Sequence, residues 1–227
     1  MGKAGPMSAT IGFLHTSPVH VATFDSLVAN WQETVTATHI VDEELLALAQ
    51  SIGTTHPTVV ERVATALSKL VHEGADVVVC TCSTIGATAE LAEGAVVPVL
   101  RVDRPMAAAA VASGQRIAVV AALESTLAPT VDLLREESAR VGRAPVINMM
   151  PCLSSWDRWA AGDIGGYHRA IAEHVNALDE SFDVVVLAQA SMLGALASID
   201  ERPERVVLTS PLSAVHAAMA IVADLPR

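Results

Sequence analysis

The sequence predicts an α/β protein of two pseudo-symmetric lobes, each a parallel sheet flanked by helices. Three observations carry that expectation. Short apolar runs alternate with longer stretches of helical spacing, the pattern of parallel βαβ units. Two of the runs, Asp76–Cys80 and Asp183–Leu187, match each other, and each runs into a turn bearing polar residues: Thr81-Cys82-Ser83-Thr84 after the first, Ala188-Gln189-Ala190-Ser191-Met192 after the second. Finally, 227 residues suffice for two small lobes, and 52% apolar against 3% aromatic residues means their cores are aliphatic.

In chain order, residues 1–8 read as a disordered leader and 9–105 as lobe 1. Thr10–Leu14 is a short strand closed by the turn His15-Thr16-Ser17-Pro18, and a helix runs from Val21 to Trp31. Thr36–Val41 alternates as a second strand, Leu45–Ser51 is a short helix, and Gly53 to Pro57 breaks the chain. Val59, Val63, Leu67 and Leu70 give Thr58–Glu73 helical spacing. Val77–Cys80, apolar throughout, fits a strand buried on both faces, and Ala87–Leu91 fits a helix beyond it. Val96–Leu100 closes the lobe.

Lobe 2, residues 106–210, repeats the plan. A helix at Met106–Ser113 leads to strand Arg116–Ala121, helix Leu127–Arg140 and strand Pro145–Met149. An irregular Trp-bearing segment at 151–163 precedes helix Gly166–Leu178, strand Asp183–Leu187 and strand Arg205–Leu208. A final helix at 211–222 is expected to pack back on lobe 1. Ligands of parallel sheets lie beyond the carboxyl ends of the strands, so the expected site is a cleft between the lobes lined by those turns.

A formal charge of -11 argues against nucleic acid or an anionic membrane as partner, because both require basic patches. Three unevenly spaced cysteines make no disulfide framework and suit a reducing cytoplasm. No stretch has the layout of a secretory signal, and no apolar run approaches the ~20 residues of a membrane span. No Gly-x-Gly-x-x-Gly follows a strand, no Walker sequence occurs, and Ser191 lacks the glycines of a nucleophile elbow. Thr88 stands where a Cys82-based phosphatase cradle would need arginine.

Cys82 is the candidate catalytic group. At the start of a helix its thiolate would be stabilised below the free value of about 8.5, and the turn's N–H groups would hold an anion. The alternative is an inert buried thiol, the reading adopted for Cys80 and Cys152. Ser83 and Thr84 fit either substrate binding or helix capping. Thr16, Ser17, Thr126, Ser191 and Ser210 carry the same two readings, and Ala190, in the second-lobe turn, is expected to line the substrate site. His15 could supply an acid or base near neutrality, or could merely hydrogen-bond backbone. His20 makes no metal motif with it, and no metal or cofactor is expected.

An apolar strand ending in Cys82-Ser83-Thr84, an equivalent turn at Leu187–Met192, and the segments His15-Thr16-Ser17-Pro18 and Arg101–Met106 together resemble the aspartate/glutamate/hydantoin racemase superfamily, over nearly the whole chain. The resemblance implies cofactor-free chemistry on a small carboxylic acid, with one cysteine from each lobe trading a proton at the α-carbon, and by analogy a homodimer. Cys82 matches the first-lobe cysteine, whereas the second-lobe position falls on Gln189, which cannot exchange a proton at neutral pH and is read instead as a substrate contact, against the alternative of a hydrogen bond across the sheet edge. Three alternatives to a racemase stay open: a decarboxylase of the arylmalonate type, which keeps a single cysteine in the other lobe; an isomerase of the maleate type, with cysteine as nucleophile; and a non-enzymatic small-acid binding protein.

Overall fold

The computed structural model describes residues 9–30, 35–92 and 96–225; the expected leader, and Trp31 at the expected end of the first helix, lie outside them. The chain divides into two compact units, Met1–Val102 with Pro211–Arg227, and Asp103–Ser210. Each holds a four-stranded parallel sheet flanked by helices, and in both the strands lie in the order second, first, third, fourth of their unit.

In unit 1 the strands are β1 (Ala9–His15), β2 (Val35–Val41), β3 (Val77–Cys80) and β4 (Val99–Arg101). Because strand side chains alternate, Leu14, Val78 and Cys80 face one way, onto α2 (Glu43–Ile52) and α3 (Pro57–His72) through Leu45, Val59, Val63 and Leu70. Ile11, Phe13, Val77 and Val79 face the other way, onto α1 (Val19–Ala29) and the C-terminal helix α9 (Ser210–Asp224) through Phe24, Val28, Val215 and Ala218. Gly12 lets α3 lie close: a Cβ there would stand 2.9 Å from Ala75 and 3.2 Å from Leu70.

Unit 2 builds on β5 (Arg116–Ala121), β6 (Val146–Pro151), β7 (Val184–Leu187) and β8 (Val206–Thr209). Ile117, Val119, Val184 and Val186 pack on α5 (Arg104–Ser113) and α6 (Glu124–Arg140). Val120, Val185 and Leu187 pack on α8 (Ile164–Asn176) through Tyr167, Ile171 and Val175; the short α7 (Trp156–Ala160) precedes it.

The same clamp opens both central strands. Asp76 Oδ2 accepts the Thr10 N–H at 2.8 Å, and Asp183 Oδ2 accepts those of Gln115 and Arg116 at 2.7 and 2.9 Å. Those two amide bonds hold the Asp183 carboxyl below the usual carboxylate range.

The helix expected beyond Cys82 at Ala87–Leu91 is α4 (Gly86–Glu90), shifted by one residue. A turn intervenes, sinking Ile85 into the core and placing Gly86 against Arg101, where a Cβ would come within 3.0 Å. The N-cap position of α4 is Ile85, so neither Ser83 nor Thr84 occupies it. His15 is the last residue of β1, not part of the turn. Thr126 lies in the first turn of α6, because a polar first turn leaves no apolar period to read. Among the described residues no helix is long and apolar enough to cross a membrane.

Candidate active site

The ends of β1 and β3 bring His15, Thr81, Cys82, Ser83 and Thr84 together in unit 1. Thr81 continues the ladder, its N–H donating to Leu14 O at 2.9 Å, so the backbone is held up to the residue before Cys82. Cys82 keeps 9% of its surface and Cys80 none. Cys80 points into the α2–α3 core and its thiol donates to Cys82 O at 3.8 Å. Ser83 and Thr84 are buried, 5% exposed each, while Thr16 and Ser17 in the turn after β1 are half-buried. A lone thiol beside hydroxyls and a strand-end turn is a chemistry of proton transfer or nucleophilic attack.

His15 has both ring nitrogens engaged: Nδ1 lies 2.8 Å from Thr81 Oγ1 and Nε2 lies 2.9 Å from His39 Nδ1. His39 Nε2 lies 3.0 Å from Asp25 Oδ1. Both rings stack on Phe13 and on each other, and that of His15 lies against Phe24. Burial, aided by His20 and His39, pushes His15 down to about 3, and burial alone takes His20 to about 4. His15 is thus a neutral, fully buried ring held by protein groups at both nitrogens. His39 and Asp25 escaped the sequence reading. The available signal was parallel pairing, which sets His39 of β2 opposite Phe13 of β1.

The equivalent turn of unit 2 is built differently. Ala188 N donates to Val120 O at 2.9 Å, as Thr81 N does to Leu14 O, which sets Gln189 in the position of Cys82. Gln189 Oε1 accepts the backbone N–H groups of Ala122 and Leu123 at 2.6 and 3.2 Å, clipping the turn between β5 and α6 to the end of β7. Ala190 is buried, and Ser191 Oγ shares a hydrogen bond of 2.8 Å with the Tyr167 hydroxyl, so Ser191 does not cap its helix. Burial raises the Tyr167 phenol above its ordinary range. His168 Nε2–H donates to Ser191 O at 2.9 Å. Thr126 and Ser210 are buried, Thr126 in α6 and Ser210 as the first residue of α9. Cys152 is buried against α8, its thiol 3.9 Å from Ala170 O. Among the described residues no group of three or more His, Cys, Asp or Glu is arranged to hold a metal ion.

Comparison with known proteins extends this picture. No curated protein matches the sequence. Among solved structures, the Picrophilus torridus aspartate racemase is 16% identical with a TM-score of 0.67, over 93% of this chain and 94% of that one. A glutamate racemase from Francisella tularensis, solved with D-glutamate, is 13% identical with a TM-score of 0.68, over 96% and 82%. The Gly74Cys mutant of an arylmalonate decarboxylase is 16% identical with a TM-score of 0.62, over 96% and 95%. At such identities the likeness is one of fold. The sequence profile of the Asp/Glu/hydantoin racemase family matches residues 22–219, and the chain belongs to that family.

Proposed function

We propose that the protein is a cofactor-independent enzyme that moves a proton at the carbon next to a carboxylate, with Cys82 as its one working thiol. The observation that carries this reading is the pairing of two equivalent strand-end turns, one with a cysteine and one with a glutamine, in a chain of the racemase family. Cys82 takes or gives the proton. Ser83 and Thr84, with Thr16 and Ser17, supply donors for the carboxylate and for the enolate-like charge that develops on it. His15 is left out of the proton step, since both its nitrogens are taken.

A second reading, decarboxylation, is favoured by Gln189. Its Oε1 is committed to two backbone amides and an amide carries no exchangeable acid, which argues against a second proton carrier at that position. Loss of CO₂ leaves a planar enediolate that one thiol suffices to protonate from one face. The likeness to the arylmalonate decarboxylase structure is compatible with it.

Incubation of amino acids, 2-aryl acids and 2-aryl malonates in D₂O, with wild type and Cys82→Ala, tests both readings. Cys82-dependent exchange at the α-carbon with inversion supports racemisation. CO₂ release with deuterium in a product of single handedness supports decarboxylation. Acids that bind wild type and Cys82→Ala equally, with no turnover by either, would replace both readings with a small-acid binding protein.

A further inference from the structure

A file of four side chains leads from the surface of unit 1 to the end of β3. Asp25 on α1 is half exposed and His39 on β2 is 13% exposed, whereas His15 on β1 and Thr81 after β3 are buried. The links Asp25–His39, His39–His15 and His15–Thr81 are 3.0, 2.9 and 2.8 Å long. Thr81 has one hydroxyl proton and two acceptors within reach, His15 Nδ1 and Leu14 O, the latter at 3.0 Å.

Counting protons fixes the file in one of two arrangements. An ionised Asp25 only accepts, so His39 carries a proton on Nε2. When His39 is neutral, its bare Nδ1 accepts from His15 Nε2–H. His15 Nδ1 is then bare and accepts the Thr81 hydroxyl. When His39 takes a second proton, its Nδ1–H donates to His15 Nε2, which must be bare. Burial keeps His15 neutral, so its single proton sits on Nδ1 and is donated to Thr81 Oγ1, whose hydroxyl turns to Leu14 O. The net change is one proton taken from water: His39 changes charge, His15 changes tautomer, and Thr81 changes direction. Beside the file itself, His20 of α1 lies against the His15 ring and the Asp42 N–H donates to His15 O, while Phe13 and Phe24 form apolar walls.

We propose that Asp25, His39 and His15 are positioning residues that carry the protonation state of His39 inward to the hydroxyl of Thr81, the residue before Cys82, and so adjust Cys82. The adjustment of a working thiol rests on the function proposed above; the proton arithmetic does not.

The test is long-range ¹H–¹⁵N correlation spectroscopy of the histidine rings of the ¹⁵N-labelled protein, across the range in which histidines titrate, roughly pH 5 to 8. His39 should take up its proton while His15 passes from the Nε2–H to the Nδ1–H tautomer at the same midpoint without becoming charged. In Asp25→Asn the two events should still share one midpoint. His15 keeping one tautomer throughout, or moving at a midpoint of its own, overturns the proposal in wild type, whatever the variant does. For the effect on Cys82, the rate of its alkylation by iodoacetamide, followed by mass spectrometry at that residue, should show an inflection at the His39 midpoint. Thr81→Val should delete the inflection and Thr81→Ser restore it; a wild-type profile with no inflection overturns the coupling. A tautomer switch and inflection in a protein that exchanges no α-proton would keep this inference and sink the proposed function.

Discussion

The turns after β3 and β7 hang from the same backbone ladder, and the side chains at their heads do opposite things. Cys82 keeps part of its surface, and the residue before it, Thr81, is tied through its hydroxyl to His15. Gln189 spends its carbonyl oxygen inward, on the amides of Ala122 and Leu123. In Gln189 the fold uses an amide for what the Asp76 and Asp183 carboxylates do at the other ends of the sheets, tying one strand end to its neighbour. One repeated scaffold thus holds a partly exposed thiol in one unit and a brace in the other.

The largest expected effect of breaking that contrast is on activity. Cys82→Ala should lower α-carbon exchange by roughly 10²- to 10⁴-fold, the scale on which removal of a positioned acid–base group acts. Its melting temperature should stay close to wild type, because only one sulfur at the rim of the core is lost. A melting temperature lowered like that of a core truncation would make Cys82 a packing residue.

Next in size is an acid effect confined to unit 1. His15 and His20 lie at about 3 and 4 when folded, below the ordinary 6.5, so the unfolded chain binds their protons more tightly. The stabilisation is complete above pH 6.5 and drains away as pH falls towards those values. By pH 4 the loss from His15 is on the order of 3 kcal/mol. Amide exchange of β1 and β3 should quicken on acidification before that of β5 and β7. Equal acid sensitivity of the two sheets would contradict the placement of the histidine cluster.

Gln189→Ala comes third. Two backbone N–H groups lose their acceptor, at a cost of about 2 kcal/mol read as a lower urea midpoint. Gln189→Glu keeps an acceptor and should recover most of that loss. The smallest effect is that of Ser191→Ala, which removes one buried hydrogen bond to Tyr167 and should cost about 1 kcal/mol by urea denaturation.

Much of this could be read from the chain itself. Val77–Cys80 and Arg116–Ala121 are strands with the bounds their apolar runs give, because residues buried on both faces leave no competing period. The correspondence of Cys82 with Gln189 was visible in the matching strands before them. So was the start of α4, to within one residue: the sequence places it at Ala87 and the structure at Gly86. The file from Asp25 to Thr81 was not legible: its members come from α1, β2, β1 and the end of β3, and strand register brings the β members together. The commitment of Gln189 to two amides also needed coordinates, because glutamine in a turn looks the same whether it faces inward or outward.

The most direct measurement is a paired one: α-carbon exchange in D₂O and urea stability, for Cys82→Ala and Gln189→Ala side by side. The account predicts a crossed result, with Cys82→Ala inactive and stable, and Gln189→Ala weakened in stability but still exchanging through Cys82. A stable Gln189→Ala that has lost exchange, or a Cys82→Ala that retains it, would contradict the assignment of chemistry to one turn and bracing to the other.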